Sequence, residues 1–480
     1  MSVTRRRLVL FGSMGAAFAA FLFVLSLTNP GAWAGTAPAP SPELELLDEV
    51  FRAIGENHLR PPGQRELATR AINAMVEQLD RYSSFYDRRE AVRFTEETEG
   101  AYGGLGIGIF PYQDALTVQY LFPESPLLPL GVRPGDRIVS VEGESIFPLQ
   151  GPTQIEGVIE KIKGPEGTPV TIVVESRVTG EKREHTVDRV RVGTTSIHGV
   201  GIVDEETGAG LVRLDSFQNN SVDDFDAAIV RLLDLGMESL ILDLRDNTGG
   251  VLRVAVELAD RFLEVGAVIT STRGRAPGAD RSYTSERPSL VPADLPVVLL
   301  VDGTSASASE ILAGALADHG RAVLVGTTTF GKGVVQSVIP LGGGDVILKI
   351  TSGRYYTPAG RCIHKRIGDD GREVADSGGI PPDVYLPVSN EERLLLRLTR
   401  DLERIEDNKA PGTEIFAPED LENGIAALRE RVGGFHDIQL EAALDVLRGR
   451  TVLSRFAKEE AVPAGPNGEE TAEDPEEDPK

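Results

Sequence analysis

The chain has 480 residues, enough for two or three domains, and its 74 acidic against 49 basic side chains give a net charge of −25. That charge argues against nucleic acid as a partner, because phosphates call for a basic surface. A single cysteine, Cys362, excludes an internal disulfide, and no spacing of His, Cys, Asp or Glu matches a metal-ligand motif. The N-terminus is built for export. Arg5-Arg6-Arg7 precede an apolar run over residues 8–27, and Ala32-Trp33-Ala34 is a small-x-small cleavage site before Gly35. The run is long enough to span a bilayer, so a removed signal and a retained anchor are both open, with the body outside in either case. Thr4-Arg5-Arg6 adds weak twin-arginine character. Residues 36–42, rich in Pro and Ala, form a linker.

Residues 44–58 carry apolar side chains at helical spacing (Leu46, Leu47, Val50, Phe51, Ile54). A second helix is predicted over 64–79, with Leu67, Ala71, Ile72, Met75 and Val76 on one face. Gly103, Gly104, Gly106 and Gly108 then punctuate a run that enters strand-like stretches at 107–109 and 116–120. A dinucleotide fingerprint would need a helix there, so it is excluded. Successive backbone N–H groups in such a loop can form a nest for a carboxylate, and the adjoining strand edge can pair with an extended peptide. The turn Gly131-Val132-Arg133-Pro134-Gly135-Asp136 leads into a strand at 137–141, a helix at about 153–162 and a strand at 169–175.

Downstream, strands at 210–217 and 239–244 alternate with helices at about 222–235 and 251–263. That order implies βαβ units and a largely parallel sheet with covered faces, whose functional loops gather at the carboxyl ends of the strands. One such end is Asp243-Leu244-Arg245-Asp246-Asn247-Thr248-Gly249-Gly250, in which Asp243 and Arg245 read as sheet-end stabilisers. Another follows the apolar run at 295–301, where small residues make a tight turn before helical spacing begins at Glu310. Ser307 in that turn sits where backbone N–H groups and a helix's positive end converge, which suits a nucleophile whose attack creates an oxyanion. With Glu310 three residues on, Ser307 is also a capping box, and the residues alone leave both readings standing.

Lys332 lies between Gly331 and Gly333, 25 residues after Ser307, and Gln336 comes four residues later. A lysine deprotonated by burial can act as general base for a serine, whereas an exposed turn lysine cannot. Residues 326–332 begin like a phosphate-binding P-loop, but Gly333 stands where that motif needs Ser or Thr, and 334–341 reads as a strand. His319 follows a helix of about nine residues and so lies ~13 Å from the serine turn, out of hydrogen-bond reach. Helical patterns recur at 391–406 and 419–447. The stretch 459–480, with nine acidic residues and one basic, is expected to be disordered.

These motifs resemble the carboxyl-terminal processing peptidases, or tail-specific proteases, which are Ser–Lys enzymes carrying a PDZ domain. The residues that carry the resemblance are Ser305-Ala306-Ser307-Ala308-Ser309-Glu310, Phe330-Gly331-Lys332-Gly333, Gln336 and Tyr356-Thr357-Pro358-Ala359-Gly360-Arg361. Leu79-Asp80-Arg81-Tyr82-Ser83-Ser84 is similar to the family's Leu-Asp-Pro-His-Ser-Ser segment, and the glycine-rich region with its strands and helix is similar to a PDZ domain. Thr248 stands where the family has Pro, and a polar insertion at 362–377 precedes Gly379-Ile380-Pro381-Pro382-Asp383. The resemblance spans about residues 44–388.

It implies an α/β (α+β multidomain) protein. A crotonase-like ββα-type core with a mostly parallel sheet would carry an inserted PDZ-like β-sandwich, an N-terminal helical segment and C-terminal helices. The expected boundaries are 1–34 for signal peptide or anchor, 35–43 linker, 44–98 N-terminal helical segment and 99–191 PDZ-like domain. The peptidase core would span 192–388, a helical region 389–457 and the acidic tail 458–480. The implied activity is that of an exported serine endopeptidase, periplasmic or otherwise extracytoplasmic, working without a cofactor or metal. Ser307 is then the nucleophile, Lys332 the base, and Gln336 the group that orients the amine. Ala308 with Gly249 or Gly250 would supply the oxyanion N–H groups, and Gly103, Gly104, Leu105, Gly106 and Ile107 would bind peptide. The implied partners are the C-terminal ends of proteins or peptides, with an adaptor protein and a homo-oligomer also admitted, and membrane contact only through an uncleaved N-terminal segment. A catalytically silent PDZ scaffold or ligand-binding protein on the same core is the alternative, against which the complete Ser307, Lys332 and Gln336 set counts.

Overall fold

The structure, a computed structural model, describes residues 41–149, 151–366, 368, 374, 377–417, 423 and 436–449. The apolar run at 8–27, most of the linker, much of the 362–377 insertion, most of the stretch 419–435 and the acidic tail lie outside the described residues. The chain divides after Phe85 into two units. In the first, α1 (Pro42–Asn57) and α2 (Gln64–Glu77) form where apolar spacing predicts helices. Pro42 at the start of α1, with Glu43 and Glu45 in its first turn, suits a helix N-terminus. Burial differs from helix formation, however. No residue of α1 is buried, and Leu46 and Val50 on its apolar face are 59% and 45% exposed.

The second unit opens with α3 (Arg88–Glu99), a helix that periodicity did not announce. A capping box starts it: the Asp87 carboxylate accepts from Arg89 and Glu90 N–H at 2.9 and 3.0 Å, and Glu90 accepts from Asp87 N–H at 3.0 Å. Next come β1 (Ala101–Gly104), β2 (Ile107–Tyr112), β3 (Ala115–Leu121), β4 (Arg137–Val141), α4 (Pro152–Ile162), β5 (Pro169–Glu175), β6 (Lys182–Asp188) and β7 (Val190–Gly193). Strands β2-β3-β4-β5-β6 pair antiparallel in that order, which leaves β2 at an edge, and β1 pairs with β7. Val158 and Ile162 of α4 close over Leu105, Ile107, Leu116, Val118, Ile138 and Ile172 in one buried cluster.

The remaining elements are β8 (Ile197–Asp204), β9 (Ala209–Leu214), α5 (Ser221–Asp234), β10 (Ser239–Asp243), α6 (Leu252–Asp260), β11 (Val268–Gly274), β12 (Arg281–Thr284) and β13 (Val297–Val301). They continue with α7 (Ala308–Asp318), β14 (Val323–Gly326), β15 (Val334–Leu341), β16 (Val346–Tyr356), β17 (Val384–Tyr385), α8 (Asn390–Asn408) and α9 (Ile438–Leu447). The central sheet runs β8-β9-β10-β13-β14-β17; β8 is antiparallel to β9 and the other neighbours are parallel. Its apolar runs are continuous because both faces are covered. Leu240, Leu242, Leu299 and Val301 pack with α5, α6 and α7, whereas Ile241, Val298 and Leu300 face Ala442 and Ala443 of α9. Burying each such side chain is worth about 1.5–3 kcal/mol. A second, antiparallel sheet has β15 and β11 on either side of β16, and β12 beyond β11. No helix among the described residues is long and apolar enough to cross a membrane.

Candidate active site

Parallel register sets Arg213, Asp243 and Leu300 side by side, and Val301 beside Gly326. The loops that follow these strands therefore leave the sheet at one end, although their sequences lie far apart. In the serine turn, Asp302 accepts from Thr304 and Ser305 N–H at 2.9 and 3.0 Å. Ser305 and Ser309 are fully buried and structural: their hydroxyls donate to the Leu244 and Asn247 carbonyls at 2.8 and 2.9 Å. Ser307 differs from both. It caps α7 with φ +57° and ψ −113°, a strained conformation for a side chain with a Cβ, and it lines an open cavity. Its N–H donates to the Glu310 carboxylate at 2.9 Å, and the Tyr355 hydroxyl donates to its carbonyl at 3.1 Å.

The loop after β10 packs directly on that turn. A Cβ on Gly249 would lie 2.6 Å from the Ala306 oxygen and 3.0 Å from the Ala308 nitrogen, and one on Gly250 would lie 2.3 Å from the Phe217 oxygen. Only glycine fits either place, since φ is +102° and +149°. Gly249 is buried and its N–H is occupied, donating to Asn247 Oδ1 at 2.8 Å. Gly250 is exposed to the cavity, and neither its N–H nor that of Ala308 meets an acceptor among the described residues.

Glu310 joins this turn to the lysine loop. Its carboxylate accepts from Thr329 Oγ1 at 2.6 Å, Gly331 N–H at 2.7 Å and Lys332 N–H at 2.9 Å, besides Ser307 N–H. Burial pushes the Glu310 carboxyl above its ordinary pKa, and the four donors offset part of the rise. Lys332 and Gln336 are partly buried. Ser307, Ala308, Lys332, Gln336, Gly249 and Gly250 all line one cavity of about 640 Å³, walled by apolar groups that include Phe94, Phe217, Val251 and Ile311. A strand, β15, follows Lys332 where a P-loop would continue as a helix. His319 lies at the far end of α7, with Nε2 2.7 Å from the Val268 carbonyl.

The five glycine-rich loop residues do not act alike. Gly103 and Gly104 are paired with Arg191 and Val190 in the β1–β7 ladder, and the Leu105 side chain is in the core. Ser125 Oγ donates to the Leu105 carbonyl at 2.8 Å and Phe122 N–H to that of Gly106 at 2.9 Å. The N–H groups of Leu105 and Gly106 meet no acceptor among the described residues, and Ile107 begins the edge strand β2. A separate cavity of about 660 Å³ between α3 and α4 includes Gly103 but neither Ser307 nor Lys332.

Residues 208–386 match the model of peptidase family S41, and residues 123–176 that of the PDZ domain. The chain is 30% identical over 429 residues to a carboxy-terminal-processing protease of Bartonella bacilliformis, covering 86% of this chain and 90% of that one. The chain belongs to peptidase family S41. It is accordingly a serine protease with a PDZ domain. A probable CtpA-like serine protease of Staphylococcus saprophyticus is 29% identical over 324 residues, or 67% of this S41 chain and 63% of that one. Among solved structures, a photosystem II D1 C-terminal processing protease is 26% identical, with 72% of this chain and 94% of that one covered at a TM-score of 0.39.

The sequence of this S41 protein singles out neither Thr329 nor Tyr355, and it marks Glu310 only as a cap. Local pattern carries no signal for Thr329 and Tyr355. The Asn-x-Gly-Gly turn did mark Asn247 as a turn former. The predicted sheet-end pair is a buried ionic cluster: Arg245 holds Asp243 and Asp437, each at 2.8 Å, and Arg400 also binds Asp243. Burial alone would raise the Asp243 carboxyl, yet Arg245 and Arg400 hold it well below the usual carboxylate range.

Proposed function

We propose that this protein is an endopeptidase that takes hold of the C-terminal end of protein substrates and cleaves them through an acyl-enzyme on Ser307. The observation that carries the reading is the shared cavity of Ser307, Lys332, Gln336, Ala308 and Gly250. Lys332, with its amine neutral, takes the hydroxyl proton of Ser307, and the oxygen attacks the scissile carbonyl carbon. The N–H groups of Ala308 and Gly250 receive the oxyanion. The lysine then returns its proton to the leaving amine, and water hydrolyses the ester with Lys332 again as base. Gln336 orients the amine.

In this reading residues 99–191 are the peptide-binding domain and 192–388 a crotonase-like peptidase core. The exposed edge of β2 supports β-augmentation by an extended substrate, and the Leu105 and Gly106 N–H groups support capture of its carboxylate. The apolar run at 8–27 behind three arginines supports export. Casein and a reporter with an apolar C-terminal tail serve as substrates. Ser307→Ala and Lys332→Ala should each lower kcat/KM by about 10⁴ or more in folded protein. Unchanged turnover in Lys332→Ala overturns the mechanism. Amidating the reporter's C-terminus should weaken binding, and equal affinity for both forms removes the carboxylate nest while leaving the chemistry intact.

A further inference from the structure

We propose that Asn247 is a positioning residue that takes the Gly249 amide out of play and leaves Gly250, with Ala308, to face the oxyanion. Resting on the Ser–Lys reading above, in which Gly250 is one of the oxyanion donors, this names the side chain that decides between two adjacent amides. Asn247 is completely buried. Its Nδ2 donates to the Leu214 carbonyl at the end of β9 at 2.7 Å, and its Oδ1 accepts from Gly249 N–H at 2.8 Å. Its own carbonyl accepts from Ala306 N–H at 3.0 Å and from Ser309 Oγ at 2.9 Å, on either side of Ser307. One residue thus ties a strand end, the glycine loop and the serine turn together.

A carboxamide has a donor for Leu214 and an acceptor for Gly249 in the same planar group, which an ionised carboxylate does not. Phe217 holds the far side of the loop, donating its N–H to the Gly249 carbonyl at 3.0 Å and accepting from Val251 N–H at 2.9 Å. Between these clamps the Gly250 N–H has no acceptor among the described residues and opens on the Ser307 cavity.

Asn247→Asp tests the assignment. A carboxylate there still accepts from Gly249 but sets an acceptor against the Leu214 carbonyl. The protonated acid restores the donor and the wild-type pattern. Arg213, Asp215, Asp243, Arg245, Asp246, Asp302, Glu310 and Arg400 are the charged groups on the surrounding segments. None is hydrogen-bonded to Asn247, and all are common to both proteins, so their titration cancels in a ratio.

Near neutrality kcat should fall by about 10²–10³, as for loss of one oxyanion donor, with KM little changed. The ratio of variant to wild-type kcat should climb as the pH is lowered. A ratio that stays flat with pH, or a kcat within twofold of wild type throughout, overturns the proposal. A variant that unfolds near neutrality is measured at acidic pH beside wild type at the same pH, where the protonated form must approach the wild-type rate if the assignment holds. Asn247→Ala gives a second reading: a peptide aldehyde, whose adduct carries the oxyanion, should bind more weakly while the product peptide binds as before, and parallel loss of both also overturns it. If wild type turns over and Ser307→Ala does not, the peptidase reading stands whatever Asn247 does.

Discussion

Glu310 satisfies four donors with two oxygens, and those donors come from both the serine turn and the lysine loop. Glu310→Gln keeps the volume but replaces one acceptor with an NH₂ group aimed at donors. Each buried donor left unmatched costs about 1–3 kcal/mol. Thermal unfolding should show a lower midpoint, and kcat should fall because the segment bearing Lys332 is held less firmly to the one bearing Ser307. A variant with wild-type Tm and kcat would show that the clamp is dispensable. Strain at the Ser307 backbone belongs to the same scale: the conformation persists because Glu310, Tyr355 and the Asn247 carbonyl over-determine the turn.

Helix α8 ties the carboxyl end of the central sheet to the PDZ region. Along it, Arg397 binds Asp246 at 2.9 Å, Arg400 donates to the Arg245 carbonyl at 3.0 Å, and Asp407 accepts from Gly199 N–H at 3.1 Å. Beyond its end the chain crosses onto β3, where Ala410 and Phe416 N–H donate to the Leu121 and Gln119 carbonyls at 2.7 and 2.9 Å. Phe416 lies among Phe110, Tyr112 and the Arg177 guanidinium. Removing one partner from a buried ionic cluster costs about 3–5 kcal/mol, so Arg400→Leu should lower the denaturant midpoint by a corresponding amount. An unmoved midpoint would mean that Arg245 and Arg213 are enough for Asp243. Phe416→Ala should speed amide exchange over 409–416 while the core strands stay protected, and unchanged exchange would contradict a strap held by that ring.

For the whole molecule, acid stability follows from carboxyl groups whose pKa values are shifted in opposite directions. Asp243 and Asp437 are held below their ordinary pKa because Arg245 outweighs the effect of burial. The unfolded chain therefore takes up their protons first. Their contribution is full above a pH of about 4 and is lost as the pH falls through the depressed folded values. Glu310, raised by burial, binds its proton first in the folded chain and opposes that loss. The denaturant midpoint should drop on acidification below about pH 4, less steeply in Asp437→Asn than in wild type. Equal slopes would exclude the cluster as the cause.

Much of this architecture was legible beforehand. The strand at 169–175, the two N-terminal helices and the alternating core elements emerged from periodicity alone, because period and burial pattern are written in neighbouring residues. The serine and lysine motifs were equally readable, down to their spacing. Helix α3 was missed because its apolar positions are few, although the Asp87 and Glu90 capping box was there to be found. What the amino-acid order determined by itself was most of the elements and the candidate side chains for the chemistry. Only the folded chain decided that Ser305 and Ser309 are structural, that Gly249 is occupied and Gly250 is not, and that α1 forms a helix without a buried face. Those outcomes depend on hydrogen bonds and contacts between segments far apart in the chain, which come into being only when the strands adopt their register.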